Sequence, residues 1–138
     1  MYDYFETTAD IGIIAFGKTL EESFENSARG LSNIMVDIES IEKIEKHSFN
    51  VISEDLFGLL YDFLTELLIL HDSELLIFSE FNVKIERNEC YELSCVAFGD
   101  RYSKDKYEPK EEVKAITYHR MEISKSENCW KTQFIVDL

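Results

Sequence analysis

The segment Leu76-Ile77-Phe78-Ser79-Glu80-Phe81-Asn82-Val83-Lys84-Ile85-Glu86-Arg87 sets Ile77, Phe81, Val83 and Ile85 against Glu80, Asn82, Lys84 and Glu86. Such alternation gives a strand with one apolar and one polar face. Asn88-Glu89 supplies a turn, and residues 91–98 return as a second strand. A short turn between two long strands makes an antiparallel hairpin, because a parallel partner would need a crossover of a dozen residues or more. Residues 113–123 and 129–137 repeat the pattern, joined near Ser126-Glu127-Asn128.

Upstream, residues 2–6 and 11–16 read as two short strands linked through Thr7-Thr8-Ala9-Asp10. The second, Ile11-Gly12-Ile13-Ile14-Ala15-Phe16, is almost continuously apolar and rich in β-branched residues. Gly17-Lys18 breaks it. Thr19 then fits an N-cap, with Glu22 three places on completing a capping box. Leu20, Phe24, Ala28, Leu31 and Met35 follow at helical spacing and predict a helix over 20–35. Residues 47–52 alternate weakly as a third strand. Ser53 is a candidate cap for a second helix over about 54–71, whose wide apolar arc of Leu56, Phe57, Leu59, Leu60, Phe63, Leu64, Leu67 and Leu68 predicts a central buried position. Two early helices and long closing hairpins predict an α+β fold: a mainly antiparallel sheet with both helices on one face. The 138 residues make one compact domain, 1–138.

Fourteen Lys and Arg against 28 Asp and Glu leave a net charge of −14. Affinity for nucleic acid comes mostly from cations that neutralise phosphates, so direct RNA or DNA binding is not expected. The acidic surface serves solubility, or meets a basic partner or a cation. Cys90, Cys95 and Cys129 form no C-x-x-C pair, and their odd number argues against a disulfide framework. They read as small apolar residues in a reducing cytosol. No apolar stretch is long enough for a membrane span, and residues 1–6 lack a signal-peptide pattern. A soluble cytoplasmic protein is expected. The stretch 99–112 has no apolar periodicity, which predicts a solvated hairpin tip or a functional, mobile loop.

Asp10 precedes the strand 11–16, and Asp137 ends the strand 129–137, one residue before Leu138. Each alone can be a turn former. If the first and last strands are neighbours, the two carboxylates and the terminal carboxylate of Leu138 converge into three hard oxygen donors suited to a divalent cation. Adjacent anions repel one another, and a cation relieves that repulsion. No nucleophile elbow, P-loop or His-Glu-x-x-His motif is present. His119 follows the face of Val113, Ala115, Thr117, Met121 and Ile123, the pattern of a core or rim histidine. By local chemistry Lys114 is a surface lysine.

Taken in order, Tyr4, Thr8-Ala9-Asp10-Ile11-Gly12, Gly17-Lys18-Thr19-Leu20-Glu21-Glu22-Ser23-Phe24, Met35-Val36-Asp37, Phe78-Ser79-Glu80-Phe81, Glu112-Val113-Lys114-Ala115-Ile116-Thr117-Tyr118-His119 and Ile135-Val136-Asp137-Leu138 resemble the archease family across the whole chain. The resemblance implies a non-enzymatic protein that assists the RtcB-type tRNA-splicing RNA ligase. It would promote guanylylation of that ligase and allow repeated turnover. The resemblance further implies a bound divalent cation, often calcium, on Asp10, Asp137 and an oxygen of Leu138, and a functional role for Lys114. Where the family motif usually has histidine before Thr-Ala-Asp, this chain has Thr7. The acidic tip could shift the ligase toward its nucleotide-reactive conformation, or deliver a metal to it. The residues alone also admit a small metal-dependent hydrolase using Asp10 and Asp137, or a general chaperone.

Overall fold

In the computed structural model, which describes residues 1–138, the antiparallel strands divide into two sheets with two helices packed against both. The elements run β1 (Tyr2–Glu6), β2 (Asp10–Gly17), α1 (Leu20–Met35), a short 3-10 turn (Ile38–Ser40), β3 (Glu45–Ser53), α2 (Leu56–Glu74), β4 (Leu76–Arg87), β5 (Tyr91–Arg101), β6 (Ala115–Ser126) and β7 (Cys129–Asp137). One sheet has the order β1-β2-β7-β6, the other β3-β5-β4. Every strand pairing is antiparallel. The α+β class therefore holds, with the strands shared between two sheets.

The two-sheet arrangement explains why α1 is buried on more than the one stripe its leucines advertise. Phe24, Ala28, Leu31 and Met35 are buried as the spacing predicts, and so are Ser23, Ser27 and Gly30. These small residues let the helix approach β2 and β7 closely. Ser27 Oγ lies 2.6 Å from Thr132 Oγ1 of β7, and Asn26 Nδ2 donates to the Phe16 carbonyl at 2.6 Å. Buried hydroxyls on that face are paired, which removes most of their burial cost. Thr19 caps the helix by accepting from Glu22 N at 3.0 Å. The Glu22 carboxylate accepts from Lys18 N at 3.2 Å, one residue before the cap whose N–H the usual box would take.

The second helix is capped by Asp55, which accepts from Gly58 N at 2.7 Å, so α2 starts two residues later than a Ser53 cap would place it. Phe63 of α2 is fully buried and joins three elements. Its ring lies 6.1 Å from Phe24 of α1 and 6.0 Å from Phe49 of β3. In β4 the register slips between Phe78 and Glu80, leaving Ser79 as an extra residue opposite Gly99 and Phe98. Any side chain at position 99 would overlap the Ile77 carbonyl oxygen, so this bulge requires glycine there.

Residues 102–114 link β5 to β6, and a solvated tip is not what they form. Tyr107 and Val113 are buried in the main core. Tyr107 is only 2% exposed. The segment is a strap across the C-terminal end of α1, and its anchors bear directly on the site below.

Candidate functional site

Strand β2 begins with Asp10 and β7 ends with Asp137, and the two are neighbours. Their register sets Asp10 directly opposite Asp137, with Ala115 of β6 on the other side of Asp137. Ile13, Ala15, Phe134 and Val136 are buried, which fixes the alternation of both strands and sends Asp10 and Asp137 to the opposite, outer face. Asp10 is half-buried and Asp137 exposed. Like charges directly opposite in an antiparallel pair repel, and nothing in the ladder offsets that repulsion.

Lys114 reaches this end of the sheet through its backbone. Its N–H donates to the Asp137 carbonyl at 2.8 Å, which continues the β6–β7 pairing one residue past the regular strand. The Lys114 side chain is exposed and forms no ion pair. Leu138 follows immediately and is half-buried against the core. The structure thus brings together all four residues singled out in the sequence: Asp10 and Asp137 through register, Lys114 and Leu138 through adjacency to Asp137.

The strap determines where Lys114 enters. Lys110 N donates to the Met35 carbonyl at 2.9 Å, Glu111 N to the Ile34 carbonyl at 3.1 Å, and Lys110 Nζ to the Asn33 carbonyl at 2.5 Å. These are carbonyls of the last turn of α1, which have no partner within the helix. A lysine there also complements the negative end of the helix dipole. Farther back, the Tyr107 hydroxyl donates to Asp100 Oδ2 at 2.7 Å and accepts from Glu42 N at 3.1 Å. Lys106 Nζ sits 2.7 Å from the same Asp100 oxygen and 3.1 Å from Glu42. The Lys106 ammonium, then the Tyr107 hydroxyl, and with them the Arg101 N–H, hold the Asp100 carboxyl below the usual carboxylate range. Burial raises the Tyr107 phenol. Sequence reasoning missed this anchor. The available signal was three apolar side chains, Tyr102, Tyr107 and Val113, in an otherwise charged stretch.

The donor set at the sheet end is oxygen only. Nowhere in the chain do three or more His, Cys, Asp or Glu side chains gather as a metal cage. His71 Nδ1 lies 3.3 Å from the Leu76 carbonyl, and His47 sits among Phe49 and Phe78. His119 is exposed and not in the core, because the β6–β7 register breaks after Thr117. Burial pushes the Cys95 thiol up to about 12, so it is inert as a thiolate ligand near neutrality. Two carboxylates suit a hard cation, yet Ca²⁺ takes six to eight oxygens. For such an ion the remaining oxygens would have to come from main chain, Leu138, water or a partner. Such a donor set fits a cation held at an exposed surface rather than a closed structural site.

Residues 2–138 match the family described as the Archease protein family (MTH1598/TM1083). The chain belongs to the archease family. It is 49% identical over 139 residues to the protein archease of Thermococcus gammatolerans, with 99% of this chain and 98% of that one covered. The archease of Methanothermobacter thermautotrophicus is 41% identical over 138 residues, with 99% and 98% covered. Among solved structures, the solution structure of Methanobacterium thermoautotrophicum protein 1598 superposes with a TM-score of 0.87 at 40% identity, covering 99% and 98% of the two chains. A Thermotoga maritima protein described as an archease and possible chaperone shares the fold at a TM-score of 0.61 and 21% identity, with 97% and 94% covered. No helix of this archease is long and apolar enough to cross a membrane.

Proposed function

We propose that this archease is a non-catalytic activator of an RtcB-type tRNA-splicing RNA ligase, acting in the cytoplasm through the sheet end that carries Asp10 and Asp137. The observation that carries the reading is the direct pairing of these two aspartates across β2 and β7, with Lys114 tied to the Asp137 carbonyl. Asp10, Asp137 and an oxygen of Leu138 would hold a divalent cation, which the hard oxygen donors suit and which the family resemblance makes calcium. That cation would neutralise the facing carboxylates and leave open positions for oxygens of the ligase. Lys114 supplies a positive charge on the same edge. Family membership supports the activator role. A net charge of −14 supports protein docking over RNA binding, since a ligase that holds RNA must present a basic channel.

The reading is tested by calorimetric titration of the chain with Ca²⁺. Wild type is expected to bind one ion weakly, and Asp10→Asn and Asp137→Asn are each expected to abolish the heat while melting cooperatively. Equal binding by wild type and both variants would remove the cation from the account.

A further inference from the structure

Four aromatic rings carry a cation from the chain itself. Arg87 lies 5.2 Å from the Tyr91 ring centroid, Lys106 5.6 Å from Tyr107, Arg120 5.1 Å from Phe5 and Lys125 5.7 Å from Trp130. Tyr118 carries none, although it is 55% exposed. It stands where β6 leaves its ladder. Thr117 pairs with Ile135 and Glu122 with Gln133, so five steps on β6 oppose two on β7 and three residues are extra. This bulge turns Tyr118 onto α2, where its ring stacks flat on Tyr61 with centroids 4.4 Å apart and planes 5° from parallel. Phe57, one helical turn before Tyr61, is 43% exposed.

The surroundings are carboxylates. Asp62 follows Tyr61 on α2 and Asp55 caps the same helix, and the Tyr118 phenol is held above the ordinary phenol range by burial first and then by Asp62, Tyr61 and Asp55. From Ser53 to Glu74 the chain has six acidic residues and no Lys or Arg. An exposed aromatic face rimmed by carboxylates, with no cation of its own, is complementary to a cation supplied from outside.

We infer that the Tyr118–Tyr61 stack, flanked by Asp55 and Asp62, is a docking surface for an arginine side chain of a basic protein partner. A guanidinium is planar and weakly hydrated, so it lies flat on the outer Tyr118 face while its N–H groups reach the carboxylates. A lysine ammonium is a point charge and cannot do both as well. Tyrosine and arginine are also the side chains that most often dominate protein interfaces. A nucleobase could stack on the same ring, but its phosphates would meet Asp55 and Asp62. This inference stands apart from the identity of the ligase and from the cation at Asp10 and Asp137.

The test is an amide and aromatic chemical-shift titration of the full chain with an acetylated, amidated (Gly-Arg)4 peptide. The matching (Gly-Lys)4 peptide and an eight-nucleotide oligouridine serve as comparison probes. Shifts from the arginine peptide are expected to concentrate on Asp55, Phe57, Tyr61, Asp62 and Tyr118, with the lysine peptide binding more weakly. Tyr118→Phe should keep the affinity, and Tyr118→Leu should weaken it by about two- to fivefold while the melting temperature stays near wild type. Equal affinity of Tyr118→Leu and wild type would overturn the stacking argument. Shifts spread evenly over the acidic surface for both peptides would overturn the site. Oligouridine shifting these residues while the arginine peptide does not would reassign the face to nucleobase stacking.

Discussion

Replacing Tyr107 by phenylalanine removes one oxygen that serves two partners. The hydroxyl donates to Asp100 Oδ2 at 2.7 Å and accepts from Glu42 N at 3.1 Å, with Tyr107 2% and Asp100 7% exposed. Phenylalanine fills the same apolar volume, so the loss is polar. A hydrogen bond to a charged group contributes about 1.5–3 kcal/mol, and the stranded Glu42 N–H adds to the cost. Asp100 keeps Lys106 at 2.7 Å and the Arg101 N–H at 2.8 Å, which holds the total toward the lower part of that range. We expect a loss of about 2 kcal/mol, or about 6–10 °C in melting temperature for a chain of this length. The assay is urea denaturation at pH 7 with thermal melts in parallel. The pH dependence follows from Asp100, whose carboxyl is held low chiefly by Lys106 and next by Tyr107. Stability from a lowered carboxyl is fully present above the ordinary carboxylate range and is lost as pH falls through the lowered folded value. The gap between wild type and Tyr107→Phe should therefore be widest near neutrality and narrow toward pH 3. A gap below about 0.5 kcal/mol at pH 7 would refute the anchor.

Three further substitutions test the geometry elsewhere. Asp55→Ala should destabilise α2 by about 1 kcal/mol, while Ser53→Ala should stay within about 0.5 kcal/mol; the reverse order in urea denaturation would restore Ser53 as the cap. Gly12→Val places a side chain where the Phe5 ring lies across β2, so Phe5 must leave and give up its contact with Arg120. A cost of about 1–3 kcal/mol is expected, with the Phe5 ring signals displaced; unchanged Phe5 shifts would contradict the packing.

Local pattern made some of this legible and left the rest hidden. The bounds of α1, Leu20–Met35, follow from Thr19 and the apolar spacing, because caps and periodicity act within a few residues. That Asp10 and Asp137 each sit at the end of an apolar β-branched run was legible, whereas their meeting stood only as a condition on which strands are neighbours, a condition the β2–β7 pairing meets. The division into two sheets was not legible, since it depends on which strands pair across long stretches of sequence. On α1, the small polar face of Ser23, Ser27 and Gly30 conceals its contact with a second layer, as apolar periodicity counts only the large residues. The strap 102–114 reads as loop because its structure rests on single anchors, Tyr107, Lys110 and Val113, with no period. The alternation of residues 113–123 places His119 on a continuous strand face, and the register break after Thr117 removes it from that face. A bulge inside a β-rich run leaves no composition mark.

The account is tested most directly by single-turnover guanylylation of a purified RtcB-type ligase with GTP and divalent cation, with and without this chain. Wild type is expected to accelerate guanylylation, and Asp10→Asn and Asp137→Asn are expected to lose that effect while remaining folded. No acceleration of a cognate ligase by wild type, or equal acceleration by folded Asp10→Asn and Asp137→Asn, would contradict it.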